Sequence, residues 1–376
     1  MDFALSDLQQ TLHEEVLALA GGFSPDYWLE HDRAERYPWD FVHAFARRGW
    51  LGTIIPEAYG GAGLGITEAA VILHAICLSG AGTSGASPVH FFMFPPAPVV
   101  RFGPEAMKRA WLPRIAAGEV LLAFGVTEPW AERAGDRWLV RGQKVWTTNA
   151  QQAERILLLA RTSPRDEAHP LQGMTLFFTH LDRRACTVRR IEKLGRAAVD
   201  SNELFIEGLE VPDEDVVGEV GRGFFHLIES LNPERIVIAM EAIGIGRAAL
   251  RIATRYASER HVFGRPIGQN QAIAHPLAAA SARLDAAELL ALKAAWLYDR
   301  GQPCGAETNA AKYLAAEAGF EACDAALQTL GGFGYAKEYH VERLWREVRL
   351  YRLAPISQEM VLNYLSQHVL GLPRSY

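Results

Sequence analysis

Arg260-His261-Val262-Phe263-Gly264-Arg265-Pro266-Ile267, followed by Gln271, and then Gln328-Thr329-Leu330-Gly331-Gly332-Phe333-Gly334-Tyr335 organise the last third of this 376-residue chain. Each interrupts alanine-rich sequence whose apolar residues recur at helical spacing, over roughly 222–257, 270–300, 306–330 and 356–369. Glycine and proline supply the interruptions, because neither continues a helix without cost. Long helical stripes joined by short breaks predict a C-terminal four-helix bundle. Taken alone, Arg260 reads as a helix C-terminal charge beside Gly264, and the glycine cluster as a helix stop.

Upstream the character changes twice. From Met1 to about Gly118 the pattern is helical, beginning with the stripe Phe3, Leu5, Leu8, Leu12 and Val16. Tyr37-Pro38-Trp39-Asp40 opens a short helix that Gly49 closes, Ile55-Pro56 to Gly60-Gly61 makes a turn, and helical runs resume near 66–79 and 104–117. Between Val120 and Gly218 the runs are short and β-branched: Trp138-Leu139-Val140-Arg141, Arg155 to Leu159, Met174 to Phe178, and Leu204-Phe205-Ile206. Punctuated by Gly, Asp, Pro and Asn, they predict an antiparallel β domain. The fold class is therefore α+β, with a helical domain over 1–119, a β domain over 120–218 and a helical bundle over 219–376.

Composition narrows the function. A net charge of −6 offers no overall attraction to nucleic acid. The local run Arg183, Arg184, Arg189, Arg190, Lys193 and Arg196 reads as a solvated strand pair rather than a phosphate loop. Four scattered cysteines without CxxC spacing suggest neither disulfides nor zinc, and the histidines do not pair at metal-ligand spacing. No uninterrupted apolar run reaches the roughly 18 residues of a membrane span, and the acidic N-terminus lacks a leader pattern. A cytoplasmic protein that binds neither nucleic acid nor membrane is expected. Gly61, Gly63 and Gly65 lie between a turn and a helix, without the strand that a dinucleotide fingerprint needs.

Together with Glu338, Arg343 and Glu347, the two C-terminal stretches resemble the acyl-CoA dehydrogenase family, which uses FAD to place a double bond beside a thioester. Ala123 to Pro129 and Lys144 to Ala150 resemble the family's two flavin-contacting β segments. The resemblance implies that Thr127 and Thr148 bind the flavin ring and that Trp146 packs beside it. It implies further that Arg260, Phe263, Gln271, Gln328, Gly331 and Gly332 hold the rest of the FAD of a neighbouring subunit, with Ser357 also at the cofactor. A homodimer or homotetramer follows from that sharing. An acyl-CoA substrate and an electron-transfer flavoprotein, or another acceptor, are the implied partners.

Two departures bear on mechanism. Aligning on Arg346-Glu347 places Pro355 where many relatives carry their catalytic glutamate, and proline accepts no proton. A minority of the family, the isovaleryl- and long-chain-type enzymes, carries it before an arginine on another helix, here Leu231-Asn232-Pro233-Glu234-Arg235. Asn232 as N-cap and Pro233 as first helical residue would put Glu234 in a first turn, where the helix dipole favours a carboxylate. Glu234 is then the expected base, Arg235 orients it, and Asn232 meets the pantetheine arm. Second, Trp130 follows Pro129 directly, so the loop after Thr127-Glu128-Pro129 is about a dozen residues shorter than the family pattern. That loss implies weaker cofactor retention or an altered thioester pocket. A monooxygenase or oxidase on the same fold, and a non-catalytic acyl-CoA-binding or protein-binding scaffold, are the competing readings.

Overall fold

A computed structural model describes residues 4–126 and 129–374, apart from the side chains of 230–232. Among the described residues, seven helices build the N-terminal part: α1 (Asp7–Gly21), α2 (Pro25–Ala34), α3 (Trp39–Ala46), α4 (Ile66–Ile76), α5 (Gly82–Met93), α6 (Ala97–Phe102) and α7 (Glu105–Ala116). Ser6 and Ser24 cap α1 and α2 through their side chains, satisfying amides that helix starts leave open. In α1, Leu12 and Val16 are buried as the stripe predicts, but Leu8 is half exposed. The start of α4 is capped from far away. The Asp299 carboxylate accepts the amides of Ile66 at 2.7 Å and Thr67 at 3.0 Å. A Cβ on Gly65 would lie 2.8 Å from that carboxylate, so the glycine loop makes room for Asp299.

A wide turn over Cys77–Ala81 joins α4 to α5, with Gly80 at φ 100° and Gly82 at φ 63°. Only glycine adopts such angles cheaply. The break redirects α5 and is held by a buried ion pair from the C-terminal part. Arg343 donates to the carbonyls of Gly80 at 2.6 Å and Ala81 at 3.2 Å, and pairs with Glu347 at 3.2 Å. Glu347 also accepts the Ser84 hydroxyl at 2.6 Å.

Among the described residues, eight strands form the middle domain: β1 (Leu122–Gly125), β2 (Trp130–Ala134), β3 (Arg137–Thr148), β4 (Arg155–Arg161), β5 (Met174–His180), β6 (Cys186–Arg190), β7 (Ser201–Pro212) and β8 (Val216–Val217). Their order is β6-β7-β3-β1-β4-β5-β8, with β2 beside β3 and β4. Pairing is antiparallel except against β4, to which β1 and the first residue of β2 run parallel. A parallel pair needs a crossover, and the β2–β3 hairpin lies within the one joining β1 to β4. Both faces of β4 are covered. Leu157 and Leu159 join the core shared with the helices, while Ile156 and Leu158 fill a second core inside the domain. The short connection after Pro129 leaves the sheet intact, because β2 begins at once and pairs with β3 from Trp130↔Arg141 to Ala134↔Arg137.

The basic run is not a solvated strand pair throughout. Arg183 donates to the carbonyls of Ala150 and Ala153, Lys193 to that of Val199, and Arg196 to the hydroxyls of Ser87, Thr148 and Ser201. These cations satisfy backbone and hydroxyl oxygens of the loops and strands, and Arg196 reaches Ser87 of α5, an arrangement that charge spacing does not reveal.

The bundle comprises α8 (Gly223–Glu259), α9 (Gln271–Asp299), α10 (Gly305–Leu330), α11 (Val341–Val348) and α12 (Gln358–Tyr364). A two-stranded ribbon, β9 (His261–Val262) and β10 (Arg265–Pro266), links α8 to α9. Close packing explains the alanine-rich sequence: a Cβ on Gly319 of α10 would stand 2.6 Å from the Ala242 carbonyl of α8. The expected helix start at Asn232-Pro233 does not occur. α8 begins nine residues earlier than Asn232, at Gly223, and runs on through Pro233. Packing of residues such as the wholly buried Leu227 overrides the local stop signal. The stretch 66–102 has the length and apolarity to cross a bilayer, but its most apolar window is 83% buried inside the protein.

Candidate active site

A cavity of about 420 Å³ opens between α4, α5, α6, α8 and α9. Ile54, Leu64, Met93, Phe94, Val100 and Val237 give it apolar walls, and the partly exposed pair Arg101–Glu229, 2.6 Å apart, lies at its edge. Two polar side chains stand out in the wall, Glu234 from α8 and His90 from α5. Glu234 is 8% exposed, and its Oε2 is buried without a hydrogen-bond partner among the described residues. Burial pushes its pKa up to about 7, against the charges of His90 and Arg235, which favour the carboxylate. Mid-helix, Glu234 has no helix N-terminus beside it, so the dipole argument fails and desolvation governs its charge.

His90 was not legible in the sequence. Its Nδ1 lies 2.9 Å from Glu241 Oε1, whose other oxygen accepts the Tyr351 hydroxyl at 2.7 Å. Burial, the largest single influence, lowers the His90 pKa, but the charge and hydrogen bond of Glu241 and the charge of Glu234 raise it on balance. Its Nε2 is buried with no partner among the described residues. A histidine among apolar helix residues forms no motif, and the only available signal, a pair of charges 151 positions apart, requires the fold.

The expected cofactor residues fall into two groups. Trp146 and Thr148 sit near the end of β3, where a register shift between Lys144 and Thr147 turns Trp146 outward, 62% exposed and at φ 64°. A tryptophan held at positive φ is strained, and such strain marks functional sites. Beside it, Thr147 Oγ1 and Asn149 Oδ1 are buried without partners among the described residues. An exposed aromatic face beside unpartnered polar atoms fits the flavin ring, which offers both stacking surface and hydrogen-bonding edges. Thr127 lies outside the described residues.

The second group gathers at one end of the bundle. Arg260 ends α8, Phe263 is wholly exposed at the tip of the β9–β10 ribbon, and Gln271 opens α9. Tyr256, one turn before Arg260, packs on Phe333, placing Gln328, Gly331 and Gly332 at the same end. Gly331 has φ 59°, and a Cβ at either glycine would meet nothing, so the loop presents bare backbone. An exposed guanidinium beside such a loop fits a pyrophosphate. Ser357 is occupied in capping α12, accepting the Met360 amide. Arg235, largely buried, has its pKa lowered by that burial. Asn232, expected at the substrate, has no described side chain, and its N-cap role is overturned by the course of α8. Pro355 lies in a loop pinned by Lys312, which donates to the Ile356 carbonyl at 2.8 Å and to Gln358 at 2.9 Å.

Known proteins share this architecture. The models of the acyl-CoA dehydrogenase N-terminal, middle and C-terminal domains match residues 6–119, 122–209 and 221–370. The acyl-CoA dehydrogenase fadE12 of Mycobacterium bovis is 35% identical over 100% of this chain and 99% of its own. Glutaryl-CoA dehydrogenase in complex with glutaryl-CoA superposes with a TM-score of 0.93 at 30% identity, covering 100% of this chain and 98% of that one. Butyryl-CoA dehydrogenase from Megasphaera elsdenii gives 0.92 at 26% identity, covering 98% and 100%. The chain belongs to the acyl-CoA dehydrogenase family of oxidoreductases, and its cofactor is FAD.

Proposed function

We propose that this protein removes hydrogen across the α,β bond of an acyl-CoA thioester, giving a 2,3-enoyl-CoA, with Glu234 as the base. The observation that carries this reading is the unpartnered Glu234 Oε2 in the wall of an apolar cavity that can hold an acyl chain. The α-proton passes to Glu234 as the β-hydride leaves with its electron pair. Bound FAD supplies the hydride acceptor at its N5. A pKa of about 7 suits a base at neutral pH, since a substantial fraction is ionised and the carboxylate is more basic than one in water. The Arg235 charge, adjacent in sequence, favours the ionised form of Glu234. Electrons would leave through an electron-transfer flavoprotein or another acceptor.

Trp146 and Thr148 would hold the flavin ring, and the Arg260–Gly332 group the pyrophosphate end of the cofactor of a neighbouring subunit. The exposure of Phe263 supports that sharing. The decisive experiment is an anaerobic titration of the purified flavoprotein with acyl-CoA thioesters of increasing chain length. Bleaching of the flavin band with enoyl-CoA formation supports the dehydrogenase. A flavin that binds but is never bleached by any thioester defeats it.

A further inference from the structure

In the cavity wall, two side chains on different helices each leave one buried polar atom unpartnered among the described residues: Glu234 Oε2 and His90 Nε2. That is costly, since a buried polar group without a partner has given up its hydrogen bonds to water. Glu234's opening is explained by a base that must meet a C–H. His90 needs another explanation. Its Nδ1 faces Oε1 of the Glu241 carboxylate at 2.9 Å as an ion pair, and the other Glu241 oxygen accepts the Tyr351 hydroxyl. Tyr351, buried at 2% exposure, anchors this row in the loop before Pro355.

We infer that His90 is a positioning residue for Glu234: paired with Glu241, its imidazolium lines the same cavity and keeps the Glu234 carboxylate in its ionised form. The inference rests on Glu234 being the base. Other groups bear on the same field. From α8 come Arg235, Glu241 and Glu229; from α6, Arg101; from α9, Tyr298 and Asp299. Behind them stand Arg196, Tyr351, Cys77 and Glu347. Asp299 is engaged with the Ile66 and Thr67 amides, and Glu229 with Arg101. That leaves His90 and Arg235 as the cations that oppose protonation of Glu234, with Glu241 favouring it. Pairing with His90 offsets the charge of Glu241, so one imidazolium both cancels an unfavourable neighbour and supplies a favourable one.

The test is an infrared titration of the holoenzyme, following the carboxylic-acid C=O stretch that disappears in Glu234→Gln. It reads the charge of Glu234 without turnover. In His90→Gln the titration midpoint should rise by about one pH unit or more, as loss of a nearby opposite charge requires. Tyr351→Phe leaves both charges in place and should move it less than His90→Gln. The pH at which half-maximal flavin reduction occurs should follow the same shift, about tenfold loss of rate per unit below the new midpoint. An unmoved midpoint in folded His90→Gln overturns the inference. If that variant does not fold, His90→Asn with the same titration takes its place. Wild-type bleaching in Glu234→Gln is a different failure, because it removes the base itself.

Discussion

The Arg343 guanidinium donates to the Gly80 carbonyl at 2.6 Å, across 263 residues of sequence. The contact fixes the break between α4 and α5, and so the direction in which α5 carries His90 to the cavity. Arg343 and Glu347 belong to the C-terminal motif, yet they act as a bolt through the N-terminal helices.

Arg343→Met should therefore be severely destabilising, because it strands Glu347 as an uncompensated buried charge. A loss of about 3–5 kcal/mol is expected for breaking such a pair from one side. The double variant Arg343→Met/Glu347→Leu should lose less than the sum of the single changes. Thermal or urea unfolding of the three proteins checks this.

Glu234→Gln should retain flavin and thioester binding while losing about 10²–10⁴-fold in the rate of flavin reduction, the span that a positioned base contributes. Stopped-flow bleaching under anaerobic conditions measures it. Reduction at the wild-type rate would remove Glu234 from the mechanism.

The same residue links stability to pH. With a folded pKa of about 7 against an ordinary carboxyl value of 4.5, Glu234 holds its proton more tightly in the folded state. Its stabilising contribution is thus complete below the unfolded value and is lost as pH rises through the folded one. The loss amounts to about 3 kcal/mol across that window. Glu234→Gln, which cannot ionise, should melt higher than wild type at pH 8 and lose that advantage at pH 5. Scanning calorimetry of apoprotein at the two pH values decides it.

Arg260→Ala should lose FAD on desalting while keeping its helical circular dichroism, since the side chain is exposed and supports no core. Unchanged flavin content would exclude it from the cofactor site.

Much of the fold is legible in the sequence because it rests on periodicity. The stripes over 270–300 and 306–330 become α9 and α10, and the β-branched runs become β4 and β5. Where local signals and packing disagree, packing prevails. Asn232-Pro233 reads as a helix start, but α8 passes through it because its earlier residues have a core to fill. Site chemistry is less legible. Glu234 can be nominated from the company it keeps in sequence, but its environment depends on α5 and α9, which are remote from it along the chain. His90, Glu241 and Tyr351 carry no joint pattern until the fold brings them together.

Phe263 stands wholly outside the subunit that bears it, at the tip of a ribbon whose neighbouring residues suit a phosphate. On the shared-site reading, each chain owns half of two flavin sites and the whole of none. Holoenzyme formation and self-association then become a single equilibrium. Flavin affinity would have no fixed value for this protein, but would weaken as the enzyme is diluted, and added FAD would drive free subunits together.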